Sequence, residues 1–226
     1  MKQYSELENN VKRFIVEHEK GISIDDIHHK FRMKDGQNRK MADYLIDNKK
    51  IILEMKSLFS DRVKNVNDKL NELVKTDSWL AKNWHGAIHL EELIKRHPDS
   101  KRFRNDIMNF AYENIKTKVV KEANKQINAT KDVLDLNDSI GGLILLNDNV
   151  FSHEPNYLSD EILYLLGTKR YSSVEFVVYI AKLIDKQVGV CVLLDSQSKN
   201  KNYIEWYMNN VFLLNWASFN KYAIKM

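Results

Sequence analysis

Apolar residues alternate with polar ones in two distinct rhythms along this chain. From Tyr4 to about Glu19, Tyr4, Leu7, Val11, Phe14 and Ile15 recur at helical spacing, which predicts a helix with Gly21 as its stop. Residues Ile27 to Met33 read as a strand with a turn at Asp35-Gly36. Two short apolar runs follow, Met41 to Ile46 and Ile51 to Met55, separated by the polar stretch Asp47-Asn48-Lys49-Lys50. This pattern predicts a β-hairpin.

The rhythm changes between 59 and 117. The segment is polar, charged and helical in period, with Val63, Val66, Leu70, Leu73 and Val74 in one stripe. It predicts helices near 59–76, 88–97 and 103–117, the last running on to about Leu134. Strand character returns in Gly142–Leu146, Val174–Ala181 and Val188–Leu194. Between the first two, Ser159 is placed to cap a short helix that ends at Gly167. The aromatic-rich tail, Tyr203 to Trp216, predicts a helix against the core. The order implies an α/β fold, with a sheet covered by helices on both faces.

Composition narrows the class. The 226 residues are 43% hydrophobic and 29% charged, with two prolines and seven glycines, as in a soluble globular protein. No apolar run approaches the roughly 18–20 residues of a membrane span. The opening residues lack the apolar stretch of a secretory signal, so a cytoplasmic protein without a membrane partner is expected. The single cysteine, Cys191, lies between Val190 and Val192 and reads as a small hydrophobe, which rules out a disulfide framework. The net charge of +4 permits a nucleic-acid partner without demanding one. Basic residues cluster at His28, His29, Lys30, Arg32, Lys34, Arg39 and Lys40, and again at Lys95, Arg96, His97, Lys101, Arg102 and Arg104.

The hairpin carries the chemistry. A two- or four-residue loop places Asp43 directly opposite Glu54. Cross-strand partners share a face, and alternation puts Lys56 on that face too. A three-residue loop would shift the register by one and separate them. Two carboxylates side by side in an apolar strand pair repel and are poorly solvated. A divalent cation removes that penalty, and carboxylate oxygens suit Mg²⁺ or Mn²⁺. A neighbouring lysine can stabilise developing charge or position and deprotonate a water, so the three together suit metal-assisted phosphodiester hydrolysis. Acid-x-Lys also occurs at Asp47/Lys49 and Asp99/Lys101, but only Glu54/Lys56 lies within an apolar strand run.

The runs Ala42-Asp43-Tyr44-Leu45-Ile46 and Ile51-Ile52-Leu53-Glu54-Met55-Lys56 resemble the PD-(D/E)XK nuclease superfamily. The resemblance implies a restriction-endonuclease-like core at 1–58 and 118–226, a mixed central sheet flanked by helices. An all-helical insertion at 59–117 would then serve as a lid, a nucleic-acid-binding element or a dimerisation element. It implies Asp43 and Glu54 as ligands of Mg²⁺ or Mn²⁺ and Lys56 as the residue assisting the hydrolytic water. Ala42 stands where the motif has proline, a position that is not a ligand. Many members place an acid on the first helix, for which Glu8 is better placed than Glu6. Some place a glutamine on the helix after the lysine strand, which points to Gln126.

His29, Arg32, Arg39, Arg102 and Arg104 are candidates for nucleic-acid phosphates, while Trp79 and Trp84 are expected to fill a small core of the insertion. His85, His89 and His97 are expected to be surface residues. No helical His pair at zinc-protease spacing, no Gly-x-Ser-x-Gly turn and no Gly-rich phosphate loop occurs. The expected activity is a metal-dependent endonuclease, with DNA favoured as substrate and a homodimer allowed. The competing class is a non-catalytic nucleic-acid-binding or assembly module that retains the nuclease fold.

Overall fold

The computed structural model describes residues 5–27, 40–58, 61–86, 90–147, 155–182 and 188–221. Helix α1 (Glu6–Arg13) starts where the Ser5 hydroxyl accepts the Glu8 N–H, and it runs on through a π-helical turn, Phe14–His18. Lys20, not Gly21, takes the left-handed conformation that ends it. Gly21 is needed for closeness instead, since a Cβ there would fall 2.8–2.9 Å from Ile15 and Ile46.

The chain then forms β1 (Ile22–Ser23) and the single turn α2 (Ile24–Ile27). The strand expected at 27–33 is therefore corrected at its first residue: Ile27 closes α2, and 28–33 lie outside the described residues. The first strand of the sheet comes earlier and is only two residues long. The hairpin follows as β2 (Tyr44–Ile46) and β3 (Ile51–Ser57).

Next come α3 (Asp61–Leu73), α4 (Ser78–Asn83), α5 (Leu90–Arg96) and α6 (Ser100–Asn114). A π-helical turn, Ile115–Val120, joins α6 to α7 (Lys121–Leu134), so the expected run-on helix forms. The periodicity missed α4, whose start is fixed by the Asp77 carboxylate accepting the N–H groups of Trp79 and Leu80. After it the elements are β4 (Ile140–Asn147), α8 (Pro155–Gly167), β5 (Phe176–Lys182) and β6 (Val188–Leu194). The chain closes with α9 (Lys201–Tyr207), a π-helical turn and α10 (Leu213–Asn220). Helix α8 begins four residues before Ser159, so that serine is no cap; Pro155 occupies the first position instead.

The strands form one mixed six-stranded sheet in chain order, β1 to β6. Strands β3, β4 and β5 run parallel and the other pairs antiparallel. Alternation sends Tyr44, Ile46, Ile51 and Leu53 to one face, against α1, α9 and α10. There Phe14 meets Phe212 and Trp216 edge-on at 5.1 Å. The opposite face carries Leu45, Ile52, Leu143, Leu145 and Val177 against α7 and α8. Both faces are covered, as the order of elements implied.

The helices at 61–114 bury a third cluster of their own: Leu70, Leu80, Trp84, Leu93, Phe103 and Ile107, with Trp79 at its margin. Both tryptophans fill this small core, as expected, and the Trp84 indole donates to Asn71 at 3.0 Å. His97 corrects its expected surface position. Its side chain is 8% exposed, lies 3.0 Å from the Asp77 carboxylate and packs against the rings of Trp79 and Phe103. Among the described residues, no helix is long and apolar enough to cross a membrane.

Candidate functional site

The geometry of the site begins at the hairpin loop. Asp47, Asn48 and Lys49 all take positive φ, and the Lys50 N–H closes the turn on the Asp47 carbonyl at 3.0 Å. The loop is held from outside. The Tyr203 hydroxyl donates to the Asp47 carboxylate, the Lys50 ammonium sits 3.4 Å above the Tyr203 ring, and the Ser139 hydroxyl donates to the Lys49 carbonyl. A four-residue loop results, with Tyr44 opposite Leu53 and Ile46 opposite Ile51. One step before that ladder, the Asp43 N–H donates to the Leu53 carbonyl at 3.1 Å, one residue out of the ladder's register, and the Asp43 and Glu54 carboxyls lie close enough to interact. Over Tyr44–Ile46 the register is the one that the polar spacing required; the ladder does not extend to Asp43 and Glu54.

Asp43, Glu54 and Lys56 therefore share the face covered by α7. One Asp43 oxygen accepts the Met55 N–H at 2.7 Å. Glu54 is 1% exposed, and its Oε1 contacts the Lys56 ammonium at 2.5 Å. Its other oxygen, Oε2, is buried without a hydrogen-bond donor among the described residues. Lys56 also donates to the Gln126 carbonyl oxygen at 2.8 Å, and the Gln126 amide nitrogen donates to the Met41 carbonyl at 3.0 Å. Gln126, predicted from α7, thus reaches the site, while Lys125 is exposed.

Electrostatics follow from burial. Loss of solvent pushes the Glu54 carboxyl up to about 8, with the Asp43 charge adding to the shift and Lys56 opposing it. Asp43 is raised as well, chiefly by burial, while the Met55 N–H and Lys56 hold it back. The pair is under-supplied with positive charge. Lys56 satisfies one Glu54 oxygen, the second is buried with no donor among the described residues, and the Asp43 carboxyl lies within hydrogen-bonding reach of Glu54. A shared proton or a cation resolves that arrangement, and the donor set consists of hard oxygens of the kind Mg²⁺ and Mn²⁺ take. Mg²⁺ is commonly held by only one or two protein carboxylates, its other positions going to water and phosphate oxygens. Among the described residues, no group of three or more His, Cys, Asp or Glu side chains is placed to hold a metal ion.

The remaining candidates are dispersed. Glu8 approaches the end of β3 and accepts the Ser57 hydroxyl at 3.1 Å, but alternation turns Ser57 to the face opposite Lys56. Glu6 is exposed and pairs with Lys182. Arg102 is 80% exposed, 3.9 Å from Asp106, and Arg104 is half-buried and engaged. His29, Arg32 and Arg39 lie outside the described residues.

Two neighbours escaped the sequence reading. Asp25 on α2 lies close enough to raise Asp43 further, brought there by the Ile24 N–H donating to the Asp43 carbonyl at 2.8 Å. Thr130, fully buried on α7, accepts the Ala42 N–H and donates to the Gln126 carbonyl, both at 2.8 Å. Its signal was present, since it follows Gln126 by four residues on one helical face. The chain matches no protein-family model, and neither the curated proteins nor the solved structures give a significant match.

Proposed function

We propose that the chain is a divalent-metal-dependent nuclease with a restriction-endonuclease-like core, hydrolysing phosphodiester bonds of nucleic acid, with DNA the favoured substrate. The observation that carries this reading is the buried, interacting Asp43–Glu54 carboxyl pair, in which the Glu54 Oε2 has no donor among the described residues. Element order adds support, once the single turn α2 is set aside. Helix α1 precedes β1, β2 and β3, with Asp43 just before β2 and Glu54 on β3, and α7 and the parallel strand β4 come after the helices at 61–114.

Asp43 and Glu54 would hold Mg²⁺ or Mn²⁺, which when bound supplies the charge that lets both acids ionise and a Lewis acid for a phosphate oxygen. Asp43 stays aimed at the pair because the Met55 N–H fixes one of its oxygens. Lys56 keeps its ammonium at the rim of the pair, 16% exposed, where it offers positive charge to a phosphate and hydrogen bonds to an attacking water. Gln126 orients Lys56 by accepting from its ammonium. Arg102, on the exposed side of α6, is available for backbone phosphates.

Incubation of the purified protein with labelled DNA and RNA, with and without Mg²⁺ or Mn²⁺, tests the proposal. Metal-dependent cleavage that disappears in Glu54→Ala, with unchanged circular dichroism, is the expected result. Undiminished cleavage by that variant removes the assignment. Binding without cleavage under every metal condition assigns the chain to the non-catalytic class.

A further inference from the structure

We propose that Thr130 is a positioning residue that fixes where the Asp43 carboxylate stands relative to Glu54, an inference resting on the metal-site reading above. Helix α7 meets the sheet through Ala123, Gln126, Ile127 and Thr130, all buried. The Thr130 hydroxyl spends its one proton on the Gln126 carbonyl. Its lone pairs then face the Ala42 N–H, which donates at 2.8 Å. Ala42 is 1% exposed and precedes the first ladder residues of β2, so strand pairing does not fix its peptide.

From Asp43 onward the sheet side takes over. The Asp43 N–H bonds Leu53, its carbonyl accepts from Ile24, and its carboxylate accepts from Met55. The Met41–Ala42 peptide is thus held by the helix at both its carbonyl and its N–H, and the two peptides that flank Asp43 are held by the sheet and α2. One helical turn earlier, Gln126 holds both the Met41 carbonyl and the Lys56 ammonium. The Gln126–Thr130 pair therefore ties the two strands of the site to one rigid element. Without the hydroxyl, the buried Ala42 N–H has no acceptor among the described residues, and relaxation of its peptide, one residue before Asp43, is expected to shift the Asp43 carboxylate. Supporting groups of this kind typically change metal affinity by about 10- to 100-fold when removed.

Thr130→Val keeps the shape and deletes the hydroxyl, and Thr130→Ser keeps the hydroxyl. The Met55 amide proton, which donates to the Asp43 carboxylate, reports Asp43 directly by NMR in the metal-free protein. Its resonance is expected to move and its exchange to quicken in T130V and to return towards wild type in T130S. Mn²⁺ half-saturation, read by electron paramagnetic resonance, is expected to weaken about tenfold or more in T130V. The cleavage kcat should fall with KM for nucleic acid unchanged. Should the valine block folding, Thr130→Ala makes the same deletion with less bulk. A T130V protein that is less stable, yet keeps the wild-type Met55 resonance and Mn²⁺ affinity, overturns the inference. A wild-type protein that cleaves nothing sinks the nuclease reading alone, because the Met55 resonance still decides the role of Thr130.

Discussion

Raising the pH of the metal-free protein from about 5 to about 7.5 should cost it stability, and Glu54 sets the size of the loss. In the folded chain its carboxyl is raised from 4.5 to about 8 by burial and by Asp43. Between those values the native state holds a proton that the unfolded chain has released. Stability is then fully present below the unfolded value and is lost as pH climbs through the folded one. Each pH unit inside the window is worth about 1.4 kcal/mol, so the interval spans about 3 kcal/mol, a large part of a typical domain's total. Glu54 is 1% exposed, so solvent screening subtracts little. Chelator-treated wild type and Glu54→Gln should be unfolded by urea at several pH values and compared, which cancels the other titrating groups. The wild type should weaken relative to the variant by about 3 kcal/mol across the interval. Saturating Mg²⁺ or Mn²⁺ should return about 2–3 kcal/mol near pH 8, at about 100-fold excess over the dissociation constant, and less near pH 5, where protons compete. Parallel stability curves for wild type and variant would refute this account of the pair.

Glu54→Leu combined with Lys56→Met should raise the stability of the metal-free protein near pH 8 by about 1–3 kcal/mol, measured by urea unfolding, because apolar side chains of similar size replace the whole buried ion pair beside Asp43. The same variant should lose every thermal shift produced by Mn²⁺. Asp77→Ala should cost about 1–2 kcal/mol in chemical denaturation, since one carboxylate caps α4 and also engages the buried His97 ring.

The hairpin was more legible in the sequence than the sheet's margin. The hairpin register was legible because four polar residues, Asp47 to Lys50, stand between two apolar runs, and only an even loop keeps both runs facing the core. Glu54 and Lys56 stood out because charges are costly in such a run. The two-residue strand Ile22–Ser23 is too short to show any period, and its pairing with Leu45 and Tyr44 exists only once the hairpin has formed. Ser159 drew attention as a capping residue, yet Pro155 is the more specific helix start. His97 looked exposed because Lys95, Arg96 and Asp99 surround it in sequence. Its actual neighbours, Asp77 and Trp79, are 20 and 18 positions away, and no local pattern carries that contact.

The two faces of the sheet differ in a way that bears on why the pair persists. Against α1, α9 and α10 the strands bury side chains such as Tyr44, Ile46, Leu53, Ile144 and Phe176, and that packing needs no charge. Against α7 the apolar packing is broken where Asp43, Glu54, Lys56, Gln126 and Thr130 meet. A buried charge cluster is poor evidence for stability, because apolar residues of similar volume commonly do as well or better. Here the residue leading into β2, strand β3 and helix α7 each contribute polar groups to it, and the hydrogen bonds satisfy the lysine, the amide and the hydroxyl while leaving one glutamate oxygen without a donor among the described residues. Packing alone would favour filling that place with carbon. On the proposed metal-site reading, the Glu54 oxygen that has no donor among the described residues is the atom a hard cation would bind.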